Sequence, residues 1–362
     1  MNVAKGFPQR VSLADVAARA GVSAATASRS LRGGAKVSPD TRRRVLVAAR
    51  ELDYVSAVDT AESGGGRQRT VAVIVPFITR WFFATAAAAA VDYLRGHGYD
   101  VLLYHLGDPD VRDRFFREMP LAGRVVGAMS LSMPLTDEHT LSLRALDLPL
   151  VSIGSSIPGS PSVGIDEVRT GRAAANHLLN LGHTRIGLIA GRPDDTRFDF
   201  TTSMGRRLGY EEALGAVGLA LDPQHIVDGP HGIDGGTEAM AELLSRPTLP
   251  TAVLAEFDEL AIGALWALRR SGLRAPQDVS VIGIDNHELA EFVDLTTIAQ
   301  DVHRQGRIAA QMLLQLLGAE TGSPSDHPVL LPTHLVLRTS TAPRHPSQTC
   351  TTPENEAPGP GE

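Results

Sequence analysis

From residue 71 onward the chain alternates short apolar runs with longer, helix-patterned segments, and it does so twice. VAVIVP (71–76) is a continuous apolar run, as a strand buried on both faces requires. An alanine-rich helix follows at 84–96 and ends near Gly98. DVLLYHL (100–106), VVGAMSL (125–131) and PLVSIG (149–154) read as the next strands. After VGID (163–166) the rhythm restarts with helix 168–181, strand RIGLIAG (185–191), helix 204–217, a strand near 225–228 and helix 235–245. Strand TAVLA (251–255), helix 258–271 and strand DVSVIGID (278–285) complete the second round. Such alternation implies parallel sheets joined by right-handed crossovers. Two rounds of it mean two doubly wound lobes, an α/β class of fold. A last helix (301–318) and the strand HLVLRTST (334–341) remain.

A chain of 362 residues is too long for one small domain and suits two or three. No run of about 18 apolar residues occurs, so no membrane-spanning helix is expected. The opening MNVAKGFPQR lacks the apolar core of a signal peptide. Cys350 is the single cysteine, which excludes a disulfide within one chain. These features predict a soluble cytoplasmic protein. Residues 344–362, with four prolines, read as a disordered tail.

The segment ahead of the lobes has a different character. In 11–55, Ser12 is a candidate N-cap, followed by Leu13, Val16, Ala17 and Ala20 at helical spacing. Gly21 ends that helix in a tight turn. Ser23 caps a second helix running to about Arg32. Ser38-Pro39 opens a third, whose apolar stripe is Val45, Ala48, Ala49 and Leu52. Helix, glycine turn, helix is the pattern that puts its second helix in the DNA major groove. Residues 1–55 hold ten Lys/Arg and four acids, a charge of +6, which leaves −13 on the remainder of a −7 chain. A basic head on an acidic body is expected where only the head touches phosphate. The alternative is an ordinary three-helix bundle with a solvated basic face.

The words LADVAARAGVS, T-A-S-R-S-L and VSPDTRRRVLVAARELDY resemble the DNA-binding head of the LacI/GalR family of bacterial repressors. The resemblance continues through NHLLNLGHTRIGLIAG, LGYEEAL, ELAIGALWALRRSGLRAPQDVSVIGID and LTTIAQD, to about residue 343. It implies a helix-turn-helix domain at 1–55, a hinge or linker at 56–70, and a periplasmic-binding-protein-like domain at 71–343. In that domain the chain crosses back between lobes. One lobe takes about 71–167 with 301–325; the other takes 168–299 with 326–343.

By the same resemblance, Ser12, Ser23, Ala24, Ala25, Thr26, Ser28, Arg29 and Arg32 form the DNA-contacting set. Ala24 and Ala25 can offer only methyl groups, suited to a thymine methyl. Arg29 can bond guanine O6 and N7 bidentately, or else hold a phosphate. Thr26 and Ser28 carry short hydroxyls suited to phosphate. In relatives the linker becomes a hinge helix on DNA, with a leucine wedged into the minor groove. Residues 56–70 lack that leucine, add Asp59 and Glu62, and carry Gly64, Gly65 and Gly66. A flexible tether is expected instead.

Ligands of doubly wound sheets sit at the carboxyl ends of strands. The positions matching the family's effector contacts are Arg80, Trp81 and Phe82 after the first strand, then Thr202, Arg206 and His231. Phe257, Asp285 and Gln300 complete them. Arg206 and Asp285 could grip adjacent hydroxyls of a polar ring, or merely pair with each other. Trp81 or Phe82 could stack on such a ring, or belong to core between the lobes. The resemblance implies a small effector, a carbohydrate or related metabolite. Phe257 stands where an asparagine is common, His231 where an aromatic is usual, and Gly154 where aspartate is frequent. Those departures add apolar area and argue against a simple sugar. Asp258 is expected to cap helix 258–271 with its carboxylate.

No G-x-S-x-G, Walker loop, H-E-x-x-H or G-x-G-x-x-G occurs, so neither catalysis nor a cofactor is expected. His177 and His183 lack a third ligand, and no metal is expected. The reading is a sequence-specific transcription regulator, a repressor working as a homodimer on a near-palindromic double-stranded DNA operator. Its competitors are a solute-binding transport protein, which needs an export signal and no basic head, and an enzyme on the same scaffold.

Overall fold

A computed structural model describes residues 13–31, 38–52, 69–133, 135–191, 201–325 and 327–344. They fall into two compact units that divide between Arg69 and Thr70. The first unit holds three helices: α1 (Leu13–Ala20), α2 (Ala24–Leu31) and α3 (Pro39–Glu51). Between α1 and α2 the chain turns at Gly21, whose φ of +66° favours glycine. Ser23 accepts the backbone N–H of Thr26 at 3.2 Å, and Ser38 accepts that of Thr41 at 3.3 Å, so both expected N-caps are formed. Val16, Ala17, Ala20, Ala27, Val45, Ala48 and Ala49 make a small core, and Arg19 pairs with Glu51 at 2.5 Å. Ser12, the linker up to residue 68 and the tail beyond Arg344 lie outside the described residues.

The second unit contains two six-stranded sheets. Its first lobe runs β1 (Thr70–Val75), α4 (Trp81–Gly96), β2 (Asp100–His105), α5 (Pro109–Glu118), β3 (Gly127–Leu131), α6 (Asp137–Arg144), β4 (Leu150–Ile153) and β5 (Ser162–Ile165). The second lobe runs α7 (Glu167–Asn180), β6 (Ile186–Gly191), α8 (Thr201–Ala216), β7 (Ile226–Gly229), α9 (Ile233–Leu244), β8 (Ala252–Ala255), α10 (Asp258–Arg270), β9 (Ser280–Asp285) and β10 (Thr296–Ala299). The chain then returns through α11 (Val302–Leu316), β11 (Val329–Leu331) and β12 (His334–Val336). Sheet order is β11-β5-β4-β3-β1-β2 in one lobe and β12-β10-β9-β8-β6-β7 in the other. In each, the first strand pairs with the second on one side and the third on the other, a topological switch point.

Pattern and burial agree along these strands. From Val71 to Val75 every residue of β1 is buried, as are all six of β6 and of β9. Helix α4 buries Phe83, Ala86, Ala90 and Leu94 at helical spacing. Gly306 of α11 lies so close to α4 that a Cβ there would stand 2.2 Å from the Ala86 carbonyl oxygen. Likewise a Cβ on Gly171 of α7 would stand 2.2 Å from the Arg206 carbonyl oxygen of α8.

Two expectations about the return crossings change. Residues 329–331 pair in parallel with β5, so they belong to the first lobe rather than the second. The last crossing therefore falls between Leu331 and His334. The expected strand 334–341 closes after Val336 and runs antiparallel to β10. Beyond it, backbone and side-chain bonds together hold the chain: the Val281 N–H donates to the Ser340 carbonyl at 2.8 Å, the Ser340 hydroxyl donates to the Val281 carbonyl at 2.6 Å, and His183 contacts the Ala342 carbonyl at 3.0 Å.

Candidate functional site

The carboxyl ends of both sheets face one cleft, whose free space is about 620 Å³ counted out to solvent. From the first lobe come Arg80, Phe82 and Phe83 around the start of α4, and Ser132 just past β3. From the second come Glu167, Thr202, Ser203, Arg206, His231 and Phe257. Glu259, Asp285 at the end of β9, and Gln300 where the chain crosses back complete the lining. Ser132 and Asp285 have φ of +38° and +132°, in the left-handed range. Such backbone is costly for residues with a Cβ and concentrates at ligand sites.

Arg206 is the electrostatic centre. Its side chain is 2 % exposed. Nε donates to Glu167 at 2.7 Å, Nη1 donates to the Glu256 carbonyl, and Nη2 lies 3.7 Å from Asp285. The guanidinium also sits 4.9 Å over the Phe257 ring. Burial works against its charge, but Glu167 and Asp285 outweigh burial and hold its pKa above the usual arginine value. The acids respond to the same burial. Glu167 is raised by desolvation, against the pull of Arg206. Asp285 is pushed up to about 8 by desolvation, opposed by Arg206 and by the amide of Gln300, which donates to it at 2.6 Å. Behind the wall, Glu256 is 1 % exposed and accepts from the Gly191 N–H at 3.0 Å and the Ser203 hydroxyl at 2.9 Å. Burial raises it to about 7.

Arg80, Phe82, Thr202, Arg206, His231, Phe257, Asp285 and Gln300 are thus brought to one cavity. Trp81 is not among its lining residues; its ring packs on His287, 5.1 Å between centroids. Asp258 does not cap α10, whose N-cap Phe257 makes no side-chain cap bond. Its carboxylate instead accepts from the His287 N–H at 2.8 Å and the Thr297 hydroxyl at 2.7 Å, tying α10 to the end of β9 and to β10. Arg206 engages Glu167 more closely than its expected partner Asp285. Sequence reasoning missed Glu167 and Glu256. Glu167 reads as an ordinary first-turn acid of a helix, and only packing puts it against Arg206.

On the head, Ala24 is exposed and Thr26 and Ser28 are half-buried, while Ala27 and Ser30 face the core. Ser23 is exposed and shares a 2.9 Å hydroxyl contact with Thr26. The side chains of Ala25 and Arg29, and the whole of Arg32, lie outside the described residues. Among the described residues, no group of three His, Cys, Asp or Glu could hold a metal ion, and no helix is long and apolar enough to cross a membrane.

A helix-turn-helix unit joined to a two-lobed, cleft-bearing unit defines a class: a DNA-binding transcription regulator with a small-molecule domain. Comparison with known proteins specifies it further. Residues 12–56 match the model for bacterial regulatory proteins of the lacI family, and 175–341 match that for a periplasmic binding protein-like domain. The HTH-type transcriptional repressor CytR of Escherichia coli (strain K12) is 35% identical over 343 residues, spanning 93% of this chain and 98% of its own. A structure of the transcriptional regulator CelR in complex with cellobiose is 33% identical, with a TM-score of 0.65, covering 91% of this chain and 100% of that one. The lac repressor dimer bound to operator and the anti-inducer ONPF is 28% identical, with a TM-score of 0.67, covering 92% and 100%. The chain belongs to the lacI family of bacterial regulatory proteins.

Proposed function

We propose that this regulator is a repressor whose grip on a near-palindromic DNA operator is set by a small hydroxylated ring compound, a carbohydrate or related metabolite, bound between the lobes. The observation that carries the ligand reading is the buried Arg206, held among Glu167, Asp285 and the Glu256 carbonyl at the meeting of both lobes. Asp285 and Glu167 accept ligand hydroxyls, and Gln300 orients Asp285. Phe82 and Phe257 offer flat apolar faces to the ring. Cellobiose in the related CelR is a ligand of this chemistry.

Ala24, Ala25 and Arg29 read base edges, and Ser23, Thr26, Ser28 and Arg32 hold phosphates. Two copies act together, as the lac repressor dimer does on its operator. For the contact between copies we assign the exposed apolar face of the second lobe, where Phe292 is 82% exposed and Trp266 49%. Two-fold symmetry then matches two half-sites. Lobe closure on the ligand changes the spacing of the heads. The protein works in the cytoplasm, beside its DNA. We read the chain as non-catalytic: the buried acids are engaged by Arg206, Gly191 and Ser203.

Anisotropy of labelled operator, titrated with full-length protein across a salt series, tests the reading. Affinity falls steeply with salt and responds to a metabolite, and folded Arg206→Met still binds operator but loses the metabolite response. Salt-independent binding, or an unaltered response in that variant, contradicts it.

A further inference from the structure

The start of α4 is gripped from across the cleft. The first N–H groups of a helix have no partner within it. Arg80, the N-cap of α4, makes no side-chain cap bond. Glu259 supplies the missing acceptor: its carboxylate takes the Trp81 backbone N–H, although it belongs to α10 in the other lobe. Beside that bond, the Trp81 ring lies 5.1 Å from the His287 ring, tilted by 36°. His287 is itself pinned. Its ring Nδ1 accepts from the Leu289 N–H at 2.9 Å, and its own N–H donates to Asp258 at 2.8 Å. Glu259 and Asp258 are consecutive residues in the first turn of α10. One rigid piece of the second lobe therefore holds one residue of the first lobe at two points, backbone and ring.

We propose that Trp81, Glu259 and His287 form a latch between the lobes, built from the chain's own groups, which sets how readily the cleft opens. The geometry favours a latch over a ligand contact for Trp81. The ring is directed at His287 and does not line the cavity, and Glu259 caps a helix that its own lobe does not contain. A second contact between lobes, Phe77 facing His231 at 6.5 Å, lies elsewhere on the cleft and reports whether the lobes as a whole separate. The latch rests on the two-lobed cleft reading but not on which ligand fills it. Loosening it enlarges the open fraction, so any ligand that needs the closed form binds more weakly.

The test uses the full chain and no ligand. Trp81 and Trp266 are the only two tryptophans, so Trp266→Phe leaves Trp81 as the sole indole reporter. In that background Glu259→Ala shifts Trp81 emission to the red and raises its quenching by acrylamide. Amide hydrogen exchange at 77–80 and 231–233 accelerates about fivefold, the opening expected when one helix cap is lost. Glu259→Gln keeps an acceptor oxygen and shows smaller changes in all three. Unchanged emission and exchange in Glu259→Ala overturn the latch. So does a Trp81 change without faster exchange around Phe77 and His231, which means a local effect. Should Glu259→Ala not fold, His287→Ala tests the second grip by the same exchange readout, with the same two outcomes.

Discussion

Replacing Glu256 by glutamine isolates the cost of a buried charge beneath the cleft. One oxygen of Glu256 accepts both the Gly191 N–H and the Ser203 hydroxyl. Glutamine has the same shape and can offer one oxygen to both donors. Burial, partly offset by those two bonds and by Arg206, raises Glu256 from its ordinary 4.5 to about 7. The sign follows from linkage. Between 4.5 and about 7 the folded protein holds a proton that the unfolded chain has released, so stability falls as pH rises through that window. Above it the penalty is complete. With about 1.4 kcal/mol per pKa unit, the stability gap between Glu256→Gln and the parent widens from about 1 kcal/mol at pH 5 to about 3 kcal/mol at pH 8. The new amide N–H adds an offset that does not vary with pH. Asp258 and Asp285 also titrate, but in both proteins alike. Urea unfolding followed by circular dichroism at pH 5, 6, 7 and 8 reads the gap directly. A gap that stays flat or narrows with rising pH means that Glu256 carries no buried charge in the folded protein.

Arg206→Met leaves Glu167 and Asp285 buried without their cation. It costs about 3–5 kcal/mol at pH 8 and less at low pH, where the acids take up protons; denaturant unfolding at both pH values checks this. Gly171→Ala drives a methyl into the Arg206 backbone, 2.2 Å from its carbonyl oxygen, with no flexible side chain to yield. Overpacking of this kind costs about 1–3 kcal/mol and lowers the melting temperature by several degrees in calorimetry. Phe292→Asp places a charge on the exposed apolar face and converts dimer to monomer in sedimentation experiments without unfolding the chain.

The long apolar strands and the alanine-rich helix were readable because burial on both faces leaves only one reading of VAVIVP or DVSVIGID. Shorter elements escaped. β11 is three residues bracketed by Pro328 and Pro332, too few for a periodicity to register. β10, Thr296–Ala299, gains its place by pairing with β9, a long-range fact. α5 carried a legible signal, Asp108 accepting from Asp110 and Val111 with Pro109 at the first turn, yet its helix is mostly charged. At the cleft, Arg206 and Asp285 were legible from their places in family-like words. Glu167 and Glu256 were not, since a buried carboxylate becomes intelligible only once its partners are known. Trp81 illustrates the converse: its position near the cleft was readable, but the direction of its ring depends on His287, more than two hundred residues away.

A sequence-reading head governed by the cleft must both select a DNA motif and release or tighten it on ligand binding. In-vitro selection of random duplex DNA by the full-length protein, followed by competition with a metabolite pool, tests this most directly. The parent selects a near-palindromic motif of two half-sites, released or tightened by a component of the pool, whereas Arg206→Met selects the motif without the response. Selection of no motif, or a motif whose binding responds equally in Arg206→Met, contradicts it.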